Sequence, residues 1–449
     1  MLKPSDSAAG EAAQVLRPFF FLIPFWGQRY RDYFVNYCLP SLLAPNNLPL
    51  LKAEEGHVFL IATTAEDWRA IEALPIMERL REYALPKLLE IAHPQIETAP
   101  GSVNAIEYLS ICQRKLVEAA YRERAYGSLL WPDLIFSDGV VASLLRHARA
   151  GRHLVLVAAL RQIQERVLAE LSERDFLSND VPASRSGRPI SVPARVLADL
   201  QVRHLHSEVA VFEERAIGQP FISPYRYWKM PSGLLLHTFL LQPIMMDFGA
   251  IGIHDTDCLD SGVFENVYLG HNFHDRGGLY VVQDSDEFGL LSLTPEAVGV
   301  RPLLTNARRP QCGWLGDFVS RGSIRASMKF HAGRLNDRLQ RDVFWLPIRC
   351  HAQDLDGEWQ RQERQVSALI ERAVGDCPSG GRDISARWSL IPRYFVLDLA
   401  YFSYTFLRRR LPLFRELCMA LAGDANGLKR IVGRLGQMVR STAKRRRGT

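Results

Sequence analysis

Gly127-Ser-Leu-Leu-Trp-Pro-Asp-Leu-Ile-Phe-Ser-Asp-Gly139 is the stretch from which the expected fold is built. A short apolar run, residues 128–131, ends at Pro132-Asp133, and a new helical pattern starts at Ser137-Asp138-Gly139. Open α/β sheets bind their ligands outside the carboxyl ends of their strands. The stretch therefore predicts a buried strand that delivers Asp133 to a ligand-binding edge, with Asp138 placed to cap the helix that follows.

Apolar runs with strand character recur along the first 160 residues: 19–26, 57–63, 88–93, 128–131 and 153–160. Helical patterns separate them, the first after a turn at Gly27 and the second behind Thr64, a residue type that caps helices. A long amphipathic helix opens at Ser102. This alternation predicts an α/β fold with a mostly parallel, Rossmann-like sheet flanked by helices.

The second half of the chain has a less regular pattern. Residues 212–247 are crowded with aromatic and apolar side chains, and 254–287 are densely polar. The expected organisation has four parts: a disordered N-terminus (1–15), an α/β domain (16–300), a loop-rich extension (301–384) and a basic, amphipathic, helical tail (385–449).

Composition places the chain among globular proteins. Of its 449 residues, 47% are hydrophobic and 23% are charged, close to the average for folded domains. Its seven cysteines stand singly with no Cys-x-x-Cys pair, which indicates neither a disulfide framework nor a zinc knuckle and favours a cytoplasmic location. The early apolar run, 19–25, is too short for a membrane span and is interrupted by Pro24.

The net charge of +6 is distributed unevenly. Residues 385–449 carry fourteen Lys and Arg against three Asp and Glu, a net +11, so residues 1–384 carry −5. Within this tail, an aromatic-rich segment (394–407) runs directly into Arg408-Arg409-Arg410. Such a pattern is typical of an interfacial anchor on an anionic membrane, and predicts peripheral attachment at the inner face. A terminal helical hairpin docked on the body is the alternative; a nucleic-acid contact is disfavoured because the basic residues are confined to the tail.

Over residues 16–290 the succession of elements resembles a glycosyltransferase of the GT-A fold. Leu129-Leu-Trp-Pro-Asp133 stands where that class carries its Asp-x-Asp motif, with Trp131 and Asp133 in the positions of the two aspartates. The resemblance implies a nucleotide-sugar donor and a divalent cation, Mn or Mg, for which Asp133 would be a ligand. The alternative for Asp133 is a structural role, as the cap of the turn that follows it.

The resemblance also implies that residues after the first two strands hold the nucleotide: Trp26, Gly27, Arg29, Thr63 and Asp67. Trp26 would stack on the base and Arg29 would pair with a phosphate. The alternative for these two is a core tryptophan and a solvated arginine.

The polar segment 254–287 supplies the remaining candidates, provided that it folds back on the same sheet edge. Asp257, His271 and Asp284 are candidate catalytic residues, for example as the base for an acceptor hydroxyl, and His274 is a candidate cation ligand beside His271. A solvated acidic loop is the alternative. Motifs for P-loop, dinucleotide, serine hydrolase and zinc protease sites are absent from the sequence.

These features predict an enzyme that transfers a sugar from a nucleotide-sugar donor to a glycan, lipid or protein acceptor at the cytoplasmic membrane face. The alternative is a non-catalytic binding or assembly module that keeps the sheet, and Trp131 in the place of the first aspartate favours it.

Overall fold

The computed structural model describes residues 16–51, 55–93, 105–178, 180–214, 222–261, 268–273, 276–299, 314–328, 331 and 343–375. They form two compact units. Unit 1 holds the described residues up to 160, with 164–200 and 241–293; unit 2 holds 161–163, 201–240 and the described residues from 294 on. The predicted N-terminal segment and the basic tail lie outside the described residues.

The strands of the described residues are β1 (Phe19–Pro24), β2 (Val58–Thr63), β3 (Leu85–Glu90), β4 (Tyr126–Leu129), β5 (Leu134–Phe136), β6 (Leu154–Val157), β7 (Leu160–Ile163), β8 (Tyr225–Met230), β9 (Gly233–Thr238), β10 (Gln242–Asp247), β11 (Leu279–Val281), β12 (Leu290–Thr294) and β13 (Ile348–His351). The helices are α1 (Gln28–Tyr33), α2 (Leu39–Leu42), α3 (Ala65–Ile71), α4 (Pro75–Arg81), α5 (Ala105–Arg122), α6 (Val140–Arg149), α7 (Gln164–Glu173), α8 (Ala183–Ser186), α9 (Ala194–Arg203), α10 (Ser207–Ala210), α11 (Leu269–Asn272), α12 (Trp314–Met328) and α13 (Gly357–Gly375).

Unit 1 is built on a seven-stranded sheet with the order β11-β6-β10-β4-β1-β2-β3. β1 pairs in parallel with β2 and β4, β2 with β3, and β6 with β11. β10 is the reversed strand, antiparallel to both β4 and β6. The predicted α/β fold with a mostly parallel sheet flanked by helices is therefore confirmed.

Continuous apolar runs account for the central position of β1 and β2, since strands covered on both faces have no polar side. Every residue of these two strands is buried. On one face, Phe21 and Phe59 stack with ring centroids 5.6 Å apart and join a core that includes Leu144 of α6. The buried side of α5 contains Cys112 and Leu116, and this helix packs on β1, β2 and β4.

The chain stays helical past Pro40, a residue type that usually ends an α-helix. α1 passes into a π-helical stretch, Phe34–Cys38, and α2 then includes Pro40. Proline lacks an N–H and its ring clashes with the carbonyl four residues back in a regular α-helix. The wider π-helical turn just before it lets the chain continue past this residue.

Unit 2 contains an antiparallel sheet, β13-β9-β8, whose strands come from both sides of the predicted boundary at residue 300. β8 and β9 thus share a sheet with residues beyond position 300. His237 of β9 is a core histidine: its Nδ1 lies 2.8 Å from the carbonyl oxygen of Phe344, and burial lowers its pKa to about 4. None of the helices in the described residues combines the length and apolar character that crossing a bilayer requires.

Candidate functional site

β1, β2 and β4 are parallel neighbours, so the segments that follow them emerge together. We call this side of the sheet, with residues 25–29, 63–67 and 130–133, the carboxyl edge. The opposite side, where β1 and β4 begin, is the amino edge. Ligands of open α/β sheets bind at the carboxyl edge.

Asp67 ties together the first two segments of the carboxyl edge. Its buried carboxylate accepts hydrogen bonds from the N–H of Gly27 at 2.8 Å, the hydroxyl of Thr64 at 2.9 Å and the guanidinium of Arg31 at 3.1 Å. Thr64 in turn caps α3, as predicted, by accepting from the N–H of Asp67 at 3.1 Å. Asp67 therefore fixes the turn at Gly27. Both of its carboxylate oxygens already accept hydrogen bonds from the protein.

Gly27 holds a backbone conformation that favours glycine, with φ at +80°. A side chain built there would meet nothing within 4 Å, so the turn borders open space. Next to it, the half-buried Trp26 ring meets the ring of Tyr108 edge-on, with centroids 5.3 Å apart. The hydroxyl oxygen of Thr63 is buried and has no hydrogen-bond partner among the described residues; a bound water or ligand satisfies such an atom.

Arg29 lies exposed at the carboxyl edge beside two tyrosines. Its guanidinium carbon is 5.5 Å from the ring centroids of both Tyr30 and Tyr33. Although burial acts to lower it, the pKa of Arg29 is raised by a hydrogen bond with Tyr33 and by negative charge that includes Asp133. The hydroxyl of Tyr33 also donates to Gln164. Cation–π contacts of this kind hold a guanidinium in place without removing its charge.

Asp133 lies just beyond β4, near enough to α1 for its charge to act on Arg29. Its carboxylate accepts a hydrogen bond from the hydroxyl of Ser292 at 2.7 Å, and its carbonyl accepts one from the N–H of Leu293 at 2.8 Å. Burial, and then the negative charge of Asp133, raise the pKa of the Cys38 thiol well above its usual value. Asp133 is thus anchored on β12, and its negative charge acts on Arg29 of α1 and on Cys38.

These groups do not fit a divalent cation at Asp133. Hard cations take several oxygen ligands, and Trp131, in the position of the first aspartate, supplies an indole that packs against the main core of unit 1. Asp133 shares the edge with the positive charge of Arg29, and Ser292 occupies part of its carboxylate. Within the described ranges, Asp133 belongs to no group of three converging His, Cys, Asp or Glu side chains.

Asp138 does not cap α6. The cap is Asn47, whose side-chain oxygen accepts from the N–H groups of Gly139 and Val141, both at 3.1 Å. Asp138 instead accepts from the N–H of Asn46 at 2.8 Å and joins loops on either side of it. The helix start was visible in the sequence, but its cap comes from a residue more than ninety positions away.

After β10 the chain continues at the amino edge of the sheet. Because β10 is antiparallel, its last residue, Asp247, pairs with Tyr126, the first residue of β4. The N–H of Phe248 then donates to the carbonyl of Ala125 at 3.1 Å. The chain therefore leaves β10 on the side of the sheet opposite Asp133.

Asp257 and His271 accordingly do not converge with Asp133. The carboxylate of Asp255 accepts from the N–H of Asp257 at 3.0 Å and lies 2.9 Å from Nδ1 of His271, and these two hydrogen bonds lower the pKa of Asp255. The expectation that this part of the segment folds back on the ligand-binding edge is corrected by the direction of β10. His274 lies outside the described residues.

Asp284 is the predicted catalytic residue that follows a strand at the carboxyl edge, since β11 runs parallel to β6. Its carboxylate accepts from the N–H of Asp286 at 2.9 Å. Nearby, Glu287 accepts from Ser143 and His147, both at 2.6 Å, and from Tyr280 at 2.7 Å. Glu287 joins α6 to the end of the sheet.

Three residues of this edge were not predicted: Tyr33, which contacts Arg29, Gln164, which accepts from Tyr33, and Ser292, which donates to Asp133. For Tyr33 a signal existed, because it follows Arg29 by four positions on a helix and side chains at that spacing meet. Gln164 and Ser292 come from distant elements and had no local signal.

An open cavity of about 480 Å³ lies at the amino edge, lined among others by Ile251, Asn272 and Phe273. The Asn272 amide donates to the carbonyls of Asp255 and Tyr268 and accepts from the N–H of Asp255. The amide is thus engaged, and the other lining residues are apolar or glycine apart from His153.

Comparison with models of known protein families found no match to this chain, and comparison with curated proteins found none either.

Proposed function

We propose that this protein is a GT-A-like glycosyltransferase that binds a nucleotide-sugar donor at the carboxyl edge of the seven-stranded sheet. The observation that carries the proposal is the strand order. Numbered along the chain within this sheet, the strands lie in the order 3-2-1-4-6-5-7, and the sixth runs antiparallel. A mostly parallel sheet of this kind is compatible with the resemblance to GT-A glycosyltransferases over residues 16–290, and it offers a ligand-binding carboxyl edge where Asp133 follows a strand.

The donor site is formed by the segments after β1, β2 and β4. Trp26 stacks on the base, an interaction worth about 1–3 kcal/mol for aromatic side chains against nucleobases. The turn at Gly27, which is fixed by the hydrogen bond to Asp67 and borders open space, lets the donor approach the backbone. Arg29 pairs with a phosphate.

The reaction places negative charge on the leaving group. An acceptor hydroxyl forms a bond to the anomeric carbon, the bond from that carbon to the diphosphate oxygen breaks, and its electron pair leaves on the nucleoside diphosphate. The acceptor proton passes to a carboxylate, for which Asp284 is the candidate at the same edge. Positive groups that stabilise the departing diphosphate contribute most of the acceleration in such a step.

The test measures donor binding and donor turnover together. Purified protein is titrated with UDP and GDP sugars, with and without manganese, while melting temperature and release of the nucleoside diphosphate are followed. We expect a nucleotide-dependent rise in melting temperature, and at least a tenfold loss of turnover in Asp133→Ala. Asp257→Ala, a carboxylate at the amino edge, is the matched control and keeps wild-type turnover.

If no donor raises the melting temperature, or if the two variants lose turnover equally, the proposal fails. The manganese arm tests the divalent cation that the resemblance implies and that the groups around Asp133 do not fit.

A non-catalytic binding module is the second candidate, and Trp131 in the place of the first aspartate favours it. Such a protein would bind the nucleotide in the same titration and release none of it. Binding without hydrolysis or transfer, in the presence of manganese and of lipid or glycan acceptors, distinguishes it from the enzyme.

The acceptor class follows from the proposed location. A basic tail with an apolar segment would hold the enzyme at the inner, anionic face of a membrane, where lipid-linked and membrane-protein acceptors are concentrated.

A further inference from the structure

We infer that Arg29, on α1 and in contact with the rings of Tyr30 and Tyr33, takes the place of a divalent cation and binds the donor diphosphate directly. The inference rests on the proposed function and specifies how the donor is held. It predicts an enzyme that works without metal.

The position of Arg29 supports this assignment. It follows β1 by a few residues, and Asp133 follows the neighbouring strand β4, so both belong to the carboxyl edge. The negative charge of Asp133 is among the interactions that stabilise the charged guanidinium. Asp133, the single aspartate at the two motif positions, therefore lies near the positive charge of Arg29.

Arg29 is also more available than the arginine next to it in the helix. Arg31 donates to the buried Asp67 at 3.1 Å and is committed to the turn at Gly27. Arg29 is exposed, and its contacts are with tyrosine rings and a hydroxyl, which leave donors of its five N–H groups for an oxyanion.

The chemistry suits the leaving group. A guanidinium forms two parallel hydrogen bonds to phosphate oxygens and stays charged at any working pH. When the bond from the anomeric carbon to the diphosphate oxygen breaks, the electron pair left on that oxygen is stabilised by the positive charge of Arg29. Asp133 contributes negative charge near the guanidinium and is not a ligand of the donor in this scheme.

The experiment measures the dissociation constants of UDP and GDP by calorimetry, in EDTA and in manganese. We expect wild-type protein to bind one of them equally well in both buffers. Arg29→Ala should weaken that binding at least tenfold in EDTA. Arg29→Lys keeps the charge but loses the planar fork, so its dissociation constant should lie between those of wild type and Arg29→Ala. Arg122→Ala is the control, since Arg122 is an exposed arginine at the end of α5 on the amino edge.

Binding that vanishes in EDTA and returns with manganese in both wild type and Arg29→Ala overturns this inference and leaves the proposed donor site intact. An absence of nucleotide binding by wild type in either buffer overturns the proposed function and the inference with it. If Arg29→Ala does not fold, Arg29→Lys decides: affinity equal to wild type in EDTA contradicts a role for the guanidinium fork.

Discussion

Glu287 is a carboxylate whose partners make it sensitive to pH. Partial burial would raise its pKa, but hydrogen bonds from His147, Ser143 and Tyr280 outweigh this and lower the pKa of Glu287 to about 2. A carboxylate with a lowered pKa stabilises the folded state above its unfolded pKa of about 4.5. That stabilisation, of up to about 3 kcal/mol, is lost as the pH falls from 4.5 through 2.

We therefore expect Glu287→Gln to lower the free energy of unfolding by about 2–3 kcal/mol at pH 7 and by progressively less toward pH 3. Urea unfolding followed by circular dichroism at pH 7, 4.5 and 3 measures this difference. The control is Asp286→Asn, which removes an exposed ion pair with Arg195 and costs less than about 1 kcal/mol. A Glu287→Gln effect that stays constant across this pH range would contradict the assigned pKa.

Among elements, helix α6 depends on a cap from another part of the chain. The buried Asn47 accepts from two N–H groups at the start of α6 and donates to the carbonyls of Ser41 and Ser137. We expect Asn47→Ala to destabilise the fold by about 2 kcal/mol, because it removes a cap and leaves buried groups unpaired.

Thermal unfolding of Asn47→Ala, Asn47→Asp and Asn46→Ala checks this prediction. The aspartate keeps the acceptor and should recover part of the loss. Asn46 is exposed, and its replacement should change the free energy of unfolding by no more than about 0.5 kcal/mol. Equal effects at positions 46 and 47 would show that the cap does not stabilise α6.

The elements also show how far the sequence could predict this protein. β1, β2, β4 and β6 were predictable because each is an apolar run beside a helical pattern, although β6 ends at Val157 rather than near residue 160. β10 was not predictable from its own residues, since an apolar run carries no sign of the direction in which it will pair.

The direction of β10 is the reason why Asp257 and His271 do not lie with Asp133. The prediction required the chain to continue at the carboxyl edge, and the antiparallel β10 takes it to the amino edge instead. Arg29 and Asp133 could be predicted together because they follow neighbouring parallel strands. The bond between Gly27 and Asp67 joins residues forty positions apart, and no local pattern encodes it.

For the whole molecule, the separation of charge predicts where the protein works. Replacing Arg408, Arg409, Arg410 and residues 444–447 by glutamine removes seven positive charges from the full chain. Each basic residue near an anionic leaflet contributes about 1 kcal/mol. We expect wild type to co-sediment with phosphatidylserine vesicles at physiological salt, and the variant to bind at least tenfold more weakly.

Neutral phosphatidylcholine vesicles provide the control, because they retain the apolar surface and lack the charge. If wild type and variant bind phosphatidylserine vesicles equally, or if wild type binds both vesicle types equally, the tail is not an electrostatic anchor.

The reversed strand also sets the order in which this protein can assemble during synthesis. β4 and β6 have no pairing with each other in the finished sheet, because β10 lies between them. Until residues 242–247 have left the ribosome, β1 to β4 and β6 form separate pieces with unpaired edges, which are the surfaces most prone to aggregation. A nascent chain must therefore wait for more than half of its length before its central sheet becomes continuous, and a product of early termination would carry those open edges permanently.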